Sequence, residues 1–387
     1  AGDAGIPPPA PAQPEFGHTG YSIAPTAPTP RRRPDAAPAG AAAALDTNSG
    51  WLSIHPAGDA GIPPPAPAQP EFGHSLSAAR RQSSGTAVAF DREAVHAGTR
   101  LRRWMRRRSH VREDVAMSRF VVVPQWQGSG SSRAMQLVDG AAAIAGDLPR
   151  ASCTPLEVPL EAGESLGSGV RRLSSLVRVR EALERELADG SEPTIVVGGD
   201  CGVALGAVSA IASSDLALVW FDAHADLNTP ESSPSGAFGG MVLRALLGDA
   251  PSQLALPTGT ITADRVVLAG SRDLDPAEVD FLAGSAIRTL APDAFAEPAR
   301  FGEAVAATGA TRVHIHVDLD VLDPAAMSGV SQPVPFGPSV AEVVAAIRAV
   351  REVLPCAGAT LTGFSPVSPE AAVDDLGAIL RIIGALA

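Results

Sequence analysis

From Met117 onward, short runs rich in Val, Ile and Leu alternate with Ala-, Leu-, Arg- and Glu-rich stretches whose apolar residues recur at helical spacing. This alternation is the strongest constraint on what the chain can fold into. A short, almost wholly apolar run suits a strand covered on both faces. An amphipathic helix between two such runs is the crossover that parallel strands need. Strands are predicted over residues 120–123, 156–159, 194–197, 217–221, 266–269, 287–290, 313–319 and 360–364. Helices are predicted over 133–145, 170–187, 203–212, 238–247, 299–307, 340–353 and 371–386. The expectation is one α/β domain over 117–387 built on a buried, mainly parallel sheet, a length that suits a single domain.

Residues 1–116 read differently. Residues 1–18, AGDAGIPPPAPAQPEFGH, recur letter for letter at 57–74, and 16 Pro fall within the first 74 residues. Pro-Ala tracts of this kind have little to bury, so a disordered or extended segment is expected. Arg100 to Arg112 carries seven Arg around Trp104 and reads as a solvated linker or as sequence upstream of a natural start at Met105 or Met117.

Composition excludes several classes. All 30 basic residues are Arg, so no Lys Schiff base and no phosphate-gripping Lys is available. Residues 117–387 hold 17 Arg against 32 acids, a net of −15. Such a surface argues against nucleic acid, which is bound through cations that replace phosphate counterions. No apolar run reaches the roughly 18 residues of a membrane span, and no charged-then-apolar leader is seen. Three Cys (Cys153, Cys201, Cys356) form no disulfide framework, so a reducing cytoplasm is expected.

Chemistry in a parallel sheet gathers beyond the carboxyl ends of its strands. Three predicted ends carry polar motifs: Gly198-Gly199-Asp200-Cys201, Asp222-Ala223-His224-Ala225-Asp226, and Asp318-Leu319-Asp320 followed by Asp323-Pro324. Read as extended chain, residues two apart share a face, so these side chains would converge. Several acids in one crevice repel one another unless cations lie between them. Carboxylates with one imidazole form a hard, mixed O/N set that suits Mn²⁺ or a similar divalent ion. Two such ions could share bridging carboxylates.

With these motifs and their spacing, residues 117–387 resemble the arginase/agmatinase ureohydrolase family. The resemblance implies a three-layer α/β domain with a central eight-stranded sheet, two manganese ions, hydrolysis of a guanidino group, and a trimeric or hexameric homo-oligomer. It implies Asp222 and Asp318 as bridging carboxylates and His224 and Asp320 as ligands of one metal. Asp226 and Cys201 would be terminal ligands of the other metal, and Asp226, as the catalytic group, would orient the attacking water. The loop Asn228-Thr229-Pro230 to Ser233-Pro234-Ser235-Gly236 resembles the one that grips an α-carboxylate in arginases, through Asn228, Ser233 and Ser235. Asp275 and Glu278 match the positions that hold an α-ammonium. Agmatinases do not share this loop, so the implied substrate is an amino acid. Taken as structure alone, Asn228-Thr229-Pro230 and Asp275-Pro276 are turn and helix-start chemistry.

Three departures stand out. Cys201 replaces a metal-binding His, and a thiolate favours Zn²⁺, Fe²⁺ or Co²⁺ over Mn²⁺. Gly239 replaces a His near the leaving amine, and Gly363 aligns with the guanidinium-binding Glu. Cys201 and Gly239 are shared with Nω-hydroxy-L-arginine amidinohydrolases, the branch closest in motif. The expected activity is therefore metal-dependent hydrolysis of a linear amidine, an arginine-like or hydroxyguanidino amino acid giving a urea-type product and an amine. The alternative is a catalytically weakened binding or regulatory protein on the same fold. His314 and His316 are expected to pair with carboxylates near the sheet, and Glu231 and Glu370 are the nearest acids that could replace a lost guanidinium anchor.

Overall fold

Eight strands pair side by side in one sheet, every neighbour parallel, in the order β2-β1-β3-β8-β7-β4-β5-β6. The computed structural model describes residues 118–189 and 192–387. The Pro-rich repeats, the Arg-rich run and the expectation of disorder over 1–116 lie outside these residues. The strands are β1 (Arg119–Val123), β2 (Cys153–Pro155), β3 (Thr194–Gly198), β4 (Leu216–Phe221), β5 (Val266–Ala269), β6 (Arg288–Leu290), β7 (Arg312–Asp318) and β8 (Cys356–Thr362). Between and after them run α1 (Gln136–Asp147), α2 (Leu173–Leu187), α3 (Val203–Ser209), α4 (Val242–Leu246), α5 (Pro276–Gly284), α6 (Ala299–Ala306), α7 (Val340–Val353) and α8 (Pro369–Leu386).

The two-residue period of a strand explains why the central strands look uniformly apolar. In β4, Leu216, Leu218 and Trp220 pack into one core, with Leu173, Leu205 and Val242. Ala217, Val219 and Phe221 pack into another, with Phe295, Phe301 and Ile347. A strand with a core on each face needs apolar residues at every position, and all six residues of β4 are buried. The result is the expected three-layer arrangement.

Local chemistry sets the best-predicted boundaries. Helix α7 starts where Ser339 and Glu342 form a capping box, with Ser339 N donating to Glu342 Oε2 at 2.8 Å. Two strands are displaced from their expected positions. β2 occupies 153–155 rather than 156–159, an edge strand that among the described residues pairs only with β1. Pro155 and Pro159 offer no N–H to a ladder, while Leu156 N still reaches Val122 O at 2.8 Å. β8 begins at Cys356 and ends at Thr362, because Gly363 turns left-handed at φ +85°. Its start, Cys-Ala-Gly-Ala, has weak strand preference and is held by pairing with β7, which β3 joins on the other side from Ala359 onward. Helix α5 was not among the expected helices; its Asp275-Pro276 start is the helix-start chemistry noted above.

Among the described residues no helix is long and apolar enough to cross a membrane. All three cysteines are free thiols.

Candidate metal centre

The register across the four middle strands fixes where the polar motifs emerge. Phe221 pairs with Val317, Asp318 with Thr362, and Val197 with Leu361. The ends of β4, β7, β8 and β3 therefore stand level at one edge of the sheet. A cavity of about 330 Å³ opens there. The eleven residues to which the resemblance gives a catalytic, metal or substrate role all line it: Cys201, Asp222, His224, Asp226, Asn228, Ser233, Ser235, Asp275, Glu278, Asp318 and Asp320.

Convergence comes from bends rather than from extended alternation, which corrects the expectation above. Asp318 ends β7, and Asp320 lies in a 3₁₀ turn over Leu319–Val321. Each motif folds on its leading carboxylate, which accepts the N–H two residues on. Asp222 Oδ1 accepts from His224 N at 2.7 Å, and Asp318 Oδ1 accepts from Asp320 N at 2.9 Å. Such Asx bonds explain the spacing physically. The two bends are tied together, with Ala223 N donating to Asp320 Oδ1 at 3.1 Å. Asp226 is held at φ +54°, a left-handed conformation unfavourable for a residue with a Cβ, of the kind that clusters at functional sites.

Two overlapping groups of donor atoms result, each with its atoms within 4.8 Å of one another: Asp222, His224 and Asp320, and Cys201, Asp222, Asp226 and His316. Asp222 belongs to both. Asp318 stands beside them, its Oδ2 accepting from Cys201 Sγ at 2.8 Å and from Thr362 Oγ1 at 3.2 Å. His224 Nδ1 lies 3.1 Å from Asp320 Oδ2 and 3.4 Å from Asp222 Oδ1.

The electrostatics of the group call for added positive charge. Burial, with the charge of Asp320, pushes Asp318 up to about 7. Burial and Asp222 push Asp320 up to about 6. Burial, then Asp222, holds Asp226 well above the usual carboxylate range. Burial works against an imidazolium at His224, but its bonds to Asp222 and Asp320 outweigh this and raise it to about 12. Burial and the carboxylates of Asp318, Asp226 and Asp222 raise the Cys201 thiol far above its ordinary value. Asp222 Oδ2 and Asp226 Oδ2 are buried without any hydrogen-bond partner among the described residues. Buried carboxylate oxygens are rarely left so. A divalent cation satisfies them, and carboxylate, imidazole and thiol are metal donors, so these residues fit the ions that the motifs imply.

Several parts of the site were not legible in the sequence. Asp200 is a loop tie, not a ligand: its oxygens take Gln125 Nε2 and Gly202 N at 2.8 Å and Gly128 N at 2.9 Å. Arg272 donates to six backbone carbonyls, among them Asp320 O at 3.0 Å, Val321 O at 3.1 Å and Val334 O at 2.7 Å. An Arg between two Asp-rich motifs would be read as an ion-pair partner; only the folded loops supply the carbonyls. His314 and His316, expected to pair with carboxylates, hydrogen-bond to none among the described residues. Their ring nitrogens meet Thr360 Oγ1, at 3.4 and 2.7 Å, and burial keeps both rings neutral. Neither Glu231 nor Glu370 lines the cavity.

The cavity wall opposite the acids is the loop after β4. Ser233 Oγ accepts from Gly236 N at 3.0 Å and Ser235 Oγ from Ala237 N at 3.1 Å; the two hydroxyls also lie 3.5 Å apart, so one can donate to the other while the second proton is left to donate into the cavity. Asn228 Nδ2 donates to Asp275 Oδ2 at 2.8 Å, and Asn228 Oδ1 accepts from Ser232 Oγ at 2.7 Å. Glu278 is 4% exposed, and its two oxygens accept from Leu227 N and Asp275 N, both at 2.9 Å.

Comparison with known proteins gives the same picture. A profile of the Arginase family matches residues 125–379, well over half of the chain. An arginase of Staphylococcus aureus (strain MRSA252) is 35% identical over 182 residues, 43% of this chain and 59% of that protein. The chain thus spans only about three fifths of that relative's length. An N(omega)-hydroxy-L-arginine amidinohydrolase of Streptomyces lavendulae is 33% identical over 188 residues, 47% of this chain and 62% of that protein. The arginase of Entamoeba histolytica, solved with L-ornithine, superposes with a TM-score of 0.62 at 22% identity, covering 70% of this chain and 97% of that one; at that identity the likeness shows the fold alone. With an eight-stranded parallel sheet, an acid cluster at its carboxyl edge and a family match over 125–379, the chain belongs to the arginase family.

Proposed function

We propose that the chain hydrolyses the guanidino group of an arginine-like or hydroxyguanidino amino acid, with divalent ions held by Asp222, His224, Asp226, Asp318, Asp320 and Cys201. The carrying observation is that Asp222 and Asp226, whose Oδ2 atoms are buried without a partner among the described residues, line the same cavity as Ser233 and Ser235. Manganese suits the Asp222–His224–Asp320 group, which is all oxygen and nitrogen. Bound there, divalent ions supply Lewis acidity and bring water toward ionisation near neutral pH.

The chain's own residues do the rest. Ser233 and Ser235 donate to the α-carboxylate, with the second Nδ2 proton of Asn228 alongside. The Asp275 carboxylate, which takes Asn228 Nδ2 and caps the helix start, offers its charge to the α-ammonium, and Glu278 adds negative charge while fixing Leu227 and Asp275. Substrate held at this end extends its guanidino group toward the acids. Asp226, through the carboxylate oxygen not given to an ion, accepts a proton from the attacking water, orients it toward the guanidino carbon and passes the proton on to solvent. Gly239 carries no proton donor, so the leaving amine takes its proton from solvent. In a hydroxyguanidino substrate the leaving amine is the same and the N–OH stays with the urea-type product. The electron-withdrawing hydroxyl, however, lowers the basicity of the group and opens its carbon to attack, which suits this reduced site.

A second reading, a binding protein with weakened catalysis, draws on Gly363. That residue lines the cavity without a carboxylate for the guanidinium. One experiment separates the two readings. Arginine, Nω-hydroxyarginine and their decarboxylated amines are assayed for urea or hydroxyurea with metal-loaded protein. Turnover of the amino acids but not the amines is expected, and Ser235→Ala should raise KM for the amino acids by roughly tenfold, the worth of a charge-assisted bond. Metal binding with no product from any of the four would leave the binding reading.

A further inference from the structure

We propose that His316 is a metal ligand on the Cys201 side of the centre, completing a Cys201–Asp222–Asp226–His316 set that prefers zinc to manganese. This rests on the metal-dependent reading above and adds a residue and an ion preference to it.

His316 lies on β7 two residues before Asp318, on the same face of the sheet, so its ring forms the floor beneath the acids. A ring nitrogen of His316, the Cys201 sulfur and one carboxylate oxygen each of Asp222 and Asp226 all lie within 4.8 Å of one another. The ring is held firmly. It stacks on Trp220 with centroids 3.7 Å apart and planes 19° from parallel. Nδ1 meets Thr360 Oγ1 at 2.7 Å. The nitrogen left for the group is Nε2, which is buried and has no hydrogen-bond partner among the described residues. His316 itself is 0% exposed.

A buried ring nitrogen without a partner is costly, and native proteins seldom leave one. Here it stands among two carboxylates that also carry unpartnered oxygens, Asp222 Oδ2 and Asp226 Oδ2. A hydrogen bond from Nε2 would serve one of these oxygens and leave the other. A cation serves all three atoms and the sulfur. The bond at Nδ1 is also the kind that orients a ligating imidazole and fixes its tautomer. One sulfur, one nitrogen and two carboxylate oxygens form a four-donor set, borderline-soft in character. Four-coordinate zinc, or cobalt in its place, suits such a set, whereas manganese prefers oxygen-rich octahedral surroundings. On binding, the Cys201 proton leaves to solvent, since a coordinating thiol is deprotonated.

The test uses the full chain stripped of metal by chelation and titrated separately with Zn²⁺, Co²⁺ and Mn²⁺. Wild type should take up zinc more tightly than manganese. Its cobalt form should show a thiolate-to-cobalt charge-transfer band and the intense visible bands of four-coordinate Co²⁺. His316→Ala should lose at least about tenfold in zinc affinity and weaken those visible bands, with manganese affinity moving less. Unchanged zinc affinity and an unchanged cobalt spectrum in His316→Ala would overturn the assignment of His316 and leave the metal-dependent reading intact. No metal uptake by wild type would overturn both. If His316→Ala does not fold, judged by circular dichroism, X-ray absorption on the His224→Asn protein with one equivalent of zinc decides. Sulfur and imidazole scattering around the same ion is expected; sulfur without imidazole overturns the proposal.

Discussion

Gly363 faces Asp318 across the end of the β7–β8 ladder so closely that a Cβ on Gly363 would stand 2.1 Å from Asp318 Oδ1. That oxygen is the one that accepts Asp320 N. The glycine is also left-handed, at φ +85°. Glycine is therefore needed here twice, for space and for backbone conformation, and no carboxylate can be added at this position without moving Asp318.

Gly363→Ala is accordingly expected to act on the metal centre as well as on stability. The left-handed backbone alone costs a residue with a Cβ about 1 kcal/mol, and the displaced Asp318 unsettles the Asp320 turn. A fall in melting temperature together with at least about tenfold weaker metal binding is expected, read by calorimetry and metal titration. Gly363→Glu should do the same and should not gain arginine hydrolysis. A Gly363→Ala protein that binds metal as wild type does would show that Asp318 is free to move.

Asp226→Asn should have opposite effects with and without metal. In the metal-free protein, Asp226 is buried near Asp222 and Asp318 and strained at φ +54°. Burial and Asp222 make folding either carry a buried charge there or take up a proton, whereas an amide needs neither and tolerates the left-handed backbone well. Metal-free Asp226→Asn is expected to melt higher than metal-free wild type. With metal added the order should reverse, because wild type gains about 2.7 kcal/mol at a hundredfold excess over Kd and the variant gains less. Equal stabilisation of the two by zinc or manganese would place Asp226 outside the ion's reach.

How much of this was legible in the sequence depends on how local the cause is. Helix α7 has its expected bounds, 340–353, because the capping box and the apolar spacing lie within the helix. Strand β7 came within a residue, and the eleven residues given catalytic, metal or substrate roles line one cavity, whereas Glu231 and Glu370 do not. What stayed hidden depends on distant partners. β2 is placed by its pairing with β1. Asp320 sits in a turn closed by Asp318, where extended chain was expected. His316 reads as a polar residue in a strand until Trp220 and Thr360 fix its ring.

A pH effect is expected far from the metal centre, at Asp215, just before β4. Its carboxylate accepts from the hydroxyls of Ser213 and Thr311 and faces Arg312, which holds it down at about 2 against an ordinary value of 3.8. The folded chain thus binds fewer protons than the unfolded chain between those values, so stability rises with pH across that window. The contribution is complete above about pH 4 and is lost as pH falls toward 2. The gap in urea midpoint between wild type and Asp215→Asn should be constant at pH 5 to 7 and shrink below pH 4. A gap that stays the same down to pH 2.5 would mean that the Asp215 charge plays no part.

Arg272 shapes the centre without touching an ion. Its Nη2 donates to Asp320 O at 3.0 Å, Leu322 O at 3.2 Å and Val334 O at 2.7 Å. Its Nη1 donates to Gly270 O at 2.9 Å and Val321 O at 3.1 Å, and Nε to Pro335 O at 2.9 Å. One planar group thus joins the end of β5, the Asp320 turn and the loop that follows it. A Lys ammonium has three donors on a flexible stem and cannot span six carbonyls. Arg272→Lys keeps the charge but strands at least three of those acceptors, so a loss of about 2–4 kcal/mol is expected. If charge were what mattered, through attraction to Asp320 and Asp323, Lys would restore most of what Ala loses. If the fork matters, Lys and Ala should lie close together in urea midpoint, both well below wild type, and both should bind metal more weakly because the Asp320 turn is no longer held. Near-wild-type stability in Arg272→Lys would assign the role to charge alone.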